Sequence, residues 1–210
     1  MKTKLLAIAI IMIAAVSCGN VAVQEDSNLK TLVVIDVQRD FFDPAGHLYV
    51  AGSEVLPEKI STLFDNYDAI VFTLDWHPGN HCSFAEQGGI WPAHCVEYSQ
   101  GAGLPDNFEI LLSGKDKKFY HYLKGQNKDK EEYGAFQDMT SEDEIFKVFA
   151  ASESIDVCGI VGEYCVMESM KNICALGFKD KMTALLDYIA CMDGGIAFGE
   201  YLQENEIAVR

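Results

Sequence analysis

The chain has 210 residues, 49% of them apolar, enough for one domain with a full core and no need of disulfide staples. Its formal net charge is -16, and Lys and Arg are scattered rather than clustered, which removes the electrostatic term that nucleic-acid binding depends on. DNA and RNA are thereby excluded as partners. The acidity reads as a solvated, self-repelling surface, and a homo-oligomer is left open.

The N-terminus, "MKTKLLAIAIIMIAAVSCGN", carries two lysines, an apolar run from Leu5 to Val16, then small residues and Cys18. A permanent transmembrane helix wants about 20 apolar residues, so the run reads as an export signal. The Ala15-Val16-Ser17-Cys18 ending resembles a bacterial lipoprotein signal. Residues 1–18 are therefore expected to be a leader ending at a lipidated Cys18, 19–29 a polar tether, and 30–210 the folded domain. The protein would be exported and anchored to a membrane, facing the periplasm or cell exterior, since each buried CH₂ of an acyl chain contributes about 0.8 kcal/mol.

From Thr31 onward, apolar runs predict strands at 31–37, 69–75, 118–125, 155–162, 182–187 and 206–210. Helical patterns fill 53–66, 141–151, 164–176 and 195–204; "SEDE" at 141–144 reads as a capping box and Gly177 as a helix stop. Continuous apolar strands alternating with helices predict a parallel sheet covered on both faces, an α/β/α sandwich. The connection from Trp76 to Lys117 has weak periodicity, and loops of that length are usually functional. Six cysteines remain beyond Cys18, without a C-x-x-C pair, and Cys158, Cys174 and Cys191 read as buried free thiols.

The functional signal is positional. Asp36, Asp75, Lys124 and the "GEYC" turn at 162–165 each fall at the carboxyl end of a predicted strand, where open parallel sheets bind ligands. Cys165 is expected in the first turn of a helix, where free N–H groups would lower its pKa. Asp36 follows "LVVI" directly, an expensive place for an unpartnered carboxylate. If Asp36 and Lys124 converge on Cys165, the set suits a cysteine nucleophile. Asp75 and His77 lie two apart and share a face in extended backbone; with His81 and His94 they offer carboxylate and imidazole donors suited to zinc, iron or manganese.

The pieces "DVQRDF" (36–41), "DWHPGNHCSF" (75–84), "WPAHC" (91–95), "KG" (124–125), "YGAF" (133–136) and "GEYCV" (162–166) resemble, in order and spacing, the nicotinamidases of the isochorismatase-like hydrolase family. The resemblance implies a six-stranded parallel sheet of order 3-2-1-4-5-6. It implies Cys165 as nucleophile, Asp36 as proton carrier and Lys124 as the stabilising cation. The N–H groups of Val161 and Cys165 would form an oxyanion hole beside a cis peptide between Val161 and Gly162. Asp75, His77 and His94 would hold one divalent metal ion, zinc before iron or manganese, with His81 a weaker fourth ligand. Phe41, Trp91 and Tyr133 would sandwich the ring of nicotinamide. Two positions depart from the family pattern: Gly162-Glu163 stands where Thr-Asp is usual, and Glu131-Glu132 where an acidic-Ser pair is usual. Rival readings are an amidase for another small amide and a catalytically silent metal-binding lipoprotein.

Overall fold

Strand β1 (Leu29–Ile35) forms the centre of the sheet in the computed structural model, which describes residues 28–113 and 117–210. Around it β2 (Ala69–Asp75), β3 (Lys118–Lys124), β4 (Ser152–Ile160), β5 (Met182–Ala190) and β6 (Ala208–Val209) pair in parallel, in the order β3-β2-β1-β4-β5-β6. Side chains alternate across each strand. On β1, Leu32 and Val34 therefore join one core with Ile60, Phe64 and Phe108, whereas Val33 and Ile35 join the other with Phe149, Met170 and Phe198. The covering helices are α1 (Arg39–Phe42), α2 (Leu56–Ser61), α3 (Asp106–Leu112), α4 (Glu144–Ala151), α5 (Met167–Ala175) and α6 (Ile196–Glu204). The expected three-layer sandwich and its strand order are both observed.

Some boundaries differ from the expectation. The helix expected over 53–66 breaks into a 3-10 turn, the short α2 with Pro57 in its first turn, and a second 3-10 turn. The capping box expected at 141–144 does not cap α4: its N-cap is Asp143, without a side-chain cap bond, and the Asp143 carboxylate instead accepts from the Thr140 N–H (2.7 Å) and hydroxyl (2.9 Å) ahead of the helix. The loop from Trp76 to Lys117 contains α3, whose Phe108 and Leu112 enter the core beside Phe64 and Phe72. Gly177 does end α5: its N–H donates to Cys174 O and that of Phe178 to Ile173 O. The leader, Cys18 and nearly all of the tether lie outside the described residues, and the domain boundary expected at 30 falls one residue inside β1. Among the described residues no helix is long and apolar enough to cross a membrane. The six described cysteines are free; Cys158 is buried, whereas Cys174 and Cys191 are only half-buried.

The order reverses at β1, which lies between β2 and β4. Asp36, Asp75, Lys124 and the turn after β4 all emerge at the carboxyl rim around that switch point.

Candidate active site

Three neighbouring strands deliver three charged groups to one place. In the β2–β3 register Asp75 stands opposite Lys124, so both side chains leave the same face of the sheet. Asp36 ends β1 with a positive φ of 46°, and its N–H donates to Thr73 O at 3.2 Å. The Thr73 hydroxyl donates to Asp36 Oδ1 at 2.6 Å. Lys124 Nζ then lies 2.8 Å from Asp36 Oδ2, in contact with Asp75 Oδ1, and 3.6 Å from Cys165 Sγ. It is no snorkelling surface lysine: Lys124 is 3% exposed and Asp36 fully buried. Gln38 braces the set, donating to Asp75 O (2.8 Å) and Ala102 O (2.9 Å) while accepting the Asp75 N–H (2.8 Å).

Cys165 sits in a π-type turn, Gly162–Val166, that precedes α5. The Val161 carbonyl accepts the N–H groups of Tyr164 and Val166, both at 3.1 Å, which folds the turn back on the end of β4. The cis peptide expected between Val161 and Gly162 lies one bond earlier, between Ile160 and Val161, at the junction of β4 and the turn.

Electrostatics overturns one expectation here. The Cys165 thiol is pushed well up rather than lowered: burial dominates, and Asp36 and Asp75 add to it against the opposing pull of Lys124. Burial also raises Asp36, with Lys124 pulling down and Asp75 pushing up. For Asp75, burial opposes ionisation, but Lys124, His77 and His94 outweigh it and hold the carboxyl below its usual range. The Lys124 ammonium is favoured as well, since the Asp36 and Asp75 carboxylates overcome the penalty of burial.

The second cluster shares Asp75. His77 Nδ1 lies 3.0 Å from Gly125 O and His94 Nδ1 lies 2.8 Å from Pro92 O. A carbonyl oxygen can only accept, so each Nδ1 carries a proton and Nε2 is the nitrogen left to meet a metal; in the bare site burial opposes charge on both rings, but Asp75 outweighs it at His77 and not at His94. Those Nε2 atoms face Asp75 Oδ2 at 3.5 Å and 3.8 Å. Metal bonds of about 2.1 Å in tetrahedral geometry put neighbouring donors roughly 3.4 Å apart, so a small contraction seats a divalent ion. The three donor atoms lie within 4.8 Å of one another and all three residues are buried. The carbonyls behind the rings are the outer partners that orient metal-binding imidazoles.

His81 does not join this group. Its Nδ1 is 2.7 Å from Ser83 Oγ and its Nε2 is 3.1 Å from Lys130 O, so both nitrogens are engaged; its ring stacks on His77 at 4.2 Å between centroids. It supports a donor rather than being one.

Phe41, Trp91 and Tyr133 line a cleft that also holds Asp75, His77, His94, Val161 and Cys165. Trp91 Nε1 donates to Tyr133 OH at 3.1 Å, and Tyr164 packs edge-on against Trp91 with centroids 5.2 Å apart. The aromatic walls and polar floor have the chemistry for a flat heteroaromatic ring, and since the cleft is closed to about 20 Å³, its walls must part to admit one. Leu48, Glu131, Tyr164 and Met192 complete the lining; of these the sequence had singled out only Glu131, and only as a departure from the family pattern. Gln38, Thr73 and Tyr164 stand inside or next to motifs that had been singled out; Leu48 and Met192 carry no local signal.

No family model matches the chain. The nicotinamidase of Saccharomyces cerevisiae is 32% identical over 192 residues, an alignment covering 76% of this chain and 87% of that protein. The structure of the yeast nicotinamidase bound to the inhibitor nicotinaldehyde matches with a TM-score of 0.73 at 30% identity, covering 86% of this chain and 98% of that one. The pyrazinamidase of Pyrococcus horikoshii in complex with zinc matches with a TM-score of 0.68 at 29% identity, again over 86% and 98%.

Proposed function

Since the chain belongs to the nicotinamidases of the isochorismatase-like hydrolase family, we propose that it hydrolyses nicotinamide to nicotinate and ammonia through a cysteine thioester. One observation carries the reading: a single buried ammonium, Lys124, touches Asp36 and Asp75 and reaches Cys165, joining a thiol centre to a metal-donor set.

Asp36 accepts the Cys165 proton, and the thiolate forms a C–S bond to the carboxamide carbon. Burial raises the proton affinity of both groups, which makes Asp36 a better acceptor than an ordinary carboxylate and Cys165 a more reluctant donor than an ordinary thiol. Lys124 steadies the charge that moves between them. The N–H groups of Val161 and Cys165 receive the oxyanion. Asp36 returns the proton to the amide nitrogen as the C–N bond breaks, and ammonia leaves. Asp36 then deprotonates a water that attacks the thioester; the C–S bond breaks, nicotinate departs, and Cys165 recovers its proton.

The Asp75, His77 and His94 donors suit zinc first, with iron or manganese also compatible, and such an ion offers an open position to the pyridine nitrogen. Phe41, Trp91 and Tyr133 hold the ring faces. The rival of a silent binding protein is not favoured, because binding alone does not require a buried thiol beside a charged lysine.

Ammonia release from nicotinamide, measured beside benzamide and beside Cys165→Ala, tests the proposal. Nicotinamide should turn over, benzamide far more slowly for want of a ring nitrogen, and Cys165→Ala not at all. Activity surviving in Cys165→Ala defeats the covalent route. From the leader motif alone we extend the proposal to location: a lipid-anchored, exported enzyme acting on amide that arrives from outside. A mature chain beginning at an acylated Cys18, seen by mass spectrometry, checks that extension, and an unprocessed leader refutes it.

A further inference from the structure

We propose that Glu163 is a positioning residue that fixes the Met192 wall of the substrate cleft relative to the Cys165 nucleophile, a role that rests on the amidase reading above. Glu163 leaves the nucleophile-bearing turn and points inward, only 9% exposed. Its Oε1 accepts two backbone N–H groups from the loop after β5, those of Met192 (2.7 Å) and Asp193 (2.9 Å). Two backbone N–H groups on one buried side-chain oxygen make a two-point tie between loops remote in sequence.

Gly162 makes the tie sterically feasible. A Cβ at that position would lie 2.3 Å from Cys191 Sγ, so the space a side chain would fill is taken by the thiol of the docking loop. Burial and the neighbouring Glu163 push that thiol up to about 12, which keeps it neutral and adds no second negative charge beside the carboxylate. The two residues that depart from the family pattern thus act together: the glycine admits the loop and the glutamate holds it.

The loop is pinned from its other end as well. The Asp193 carboxylate accepts the N–H groups of Gly195 (2.7 Å), Ile196 (3.1 Å) and Ala197 (2.9 Å), seating the first turn of α6. Met192 is therefore held between the nucleophile turn on one side and α6 on the other, and it lines the cleft with Tyr164 and Cys165. Glu163 touches none of the reacting groups described above. Loosening it frees a wall, so the loss falls on substrate binding rather than on the chemical step.

Steady-state kinetics on the intact protein separate this from a purely structural role. Glu163→Ala and Glu163→Asp should each raise KM for nicotinamide by about fivefold or more with kcat within about twofold. Glu163→Gln, whose amide oxygen accepts the same two N–H groups, should restore KM. Adding Met192→Ala to Glu163→Ala should cost little beyond Met192→Ala alone, because both act through one wall. If Glu163→Ala does not fold, Glu163→Asp decides. An active wild type whose Glu163→Ala or Glu163→Asp keeps its KM, or in which the two effects simply add, overturns this inference alone. A wild type that releases no ammonia overturns the amidase reading and this inference with it.

Discussion

Replacing Lys124 by methionine keeps the length of the side chain and deletes only the charge, leaving Asp36 and Asp75 facing each other inside the protein. At 2.8 Å from Asp36, and with an effective dielectric of about 20, the lost attraction to that carboxylate alone is roughly 6 kcal/mol. Breaking a buried pair by removing one partner costs about 3–5 kcal/mol net, and for a domain of this size each kcal/mol moves Tm by about 2–4 °C. Lys124→Met should therefore unfold roughly 6–20 °C lower near neutral pH. The loss should depend on pH with a definite sign. In the variant both carboxyls have folded pKa values above the unfolded value of about 3.9, so stability drains away as pH rises from that value through the raised ones. The deficit should be small at about pH 4 and largest near about pH 8. In the wild type the raised pKa of Lys124 keeps its contribution in place through neutrality, to be lost only at strongly alkaline pH. Thermal melts of both proteins across this range, followed by circular dichroism with chelator present, read the difference. Adding zinc should return part of the lost stability, since a cation on Asp75 offsets the missing ammonium. A variant as stable as wild type at pH 8 refutes the argument that one lysine neutralises both aspartates.

Thr73→Val removes a hydroxyl that donates to Asp36 at 2.6 Å and lowers its already raised pKa; the acid limb of the pH profile of kcat/KM should move up by about 1–2 units, and an unmoved limb argues against Asp36 as the base. Gly125→Ala forces a side chain onto a φ of +68° and places its Cβ 2.4 Å from His77 Cε1, displacing a ring that a carbonyl now aims. Metal affinity should fall about 10–100-fold by chelator competition, with circular dichroism preserved; unchanged affinity removes His77 from the donor set.

The central strands β1, β2 and β4 were legible because they are buried on both faces, so their apolar runs are unbroken, and a charged residue at the end of such a run stands out. Asp36 and Asp75 were visible for that reason, whereas Lys124 ends the largely exposed edge strand β3 and was visible by its place at the strand's carboxyl end. Gln38 and Thr73 were not, since their importance lies in bonds to residues 37 positions away. The thiol was misjudged because the helix-terminus argument is local, whereas burial and two aspartates from other strands decide its affinity for a proton. His81 has ligand-like spacing, but spacing does not reveal that Ser83 and the Lys130 carbonyl occupy its nitrogens. Ile60 and Phe64 of the 53–66 segment and Phe108 and Leu112 of α3 share one core with Leu32 of β1 and Phe72 of β2, contacts that no window of sequence contains.

Asp75 gives one oxygen to Lys124 and turns the other toward His77 and His94. Recognition of a ring nitrogen and reactivity toward an amide thus meet at a single carboxylate, and neither can drift without disturbing the other. A descendant of this scaffold that abandoned heteroaromatic amides would have to rebuild the surroundings of its nucleophile at the same time, so substrate choice and rate are inherited as one trait.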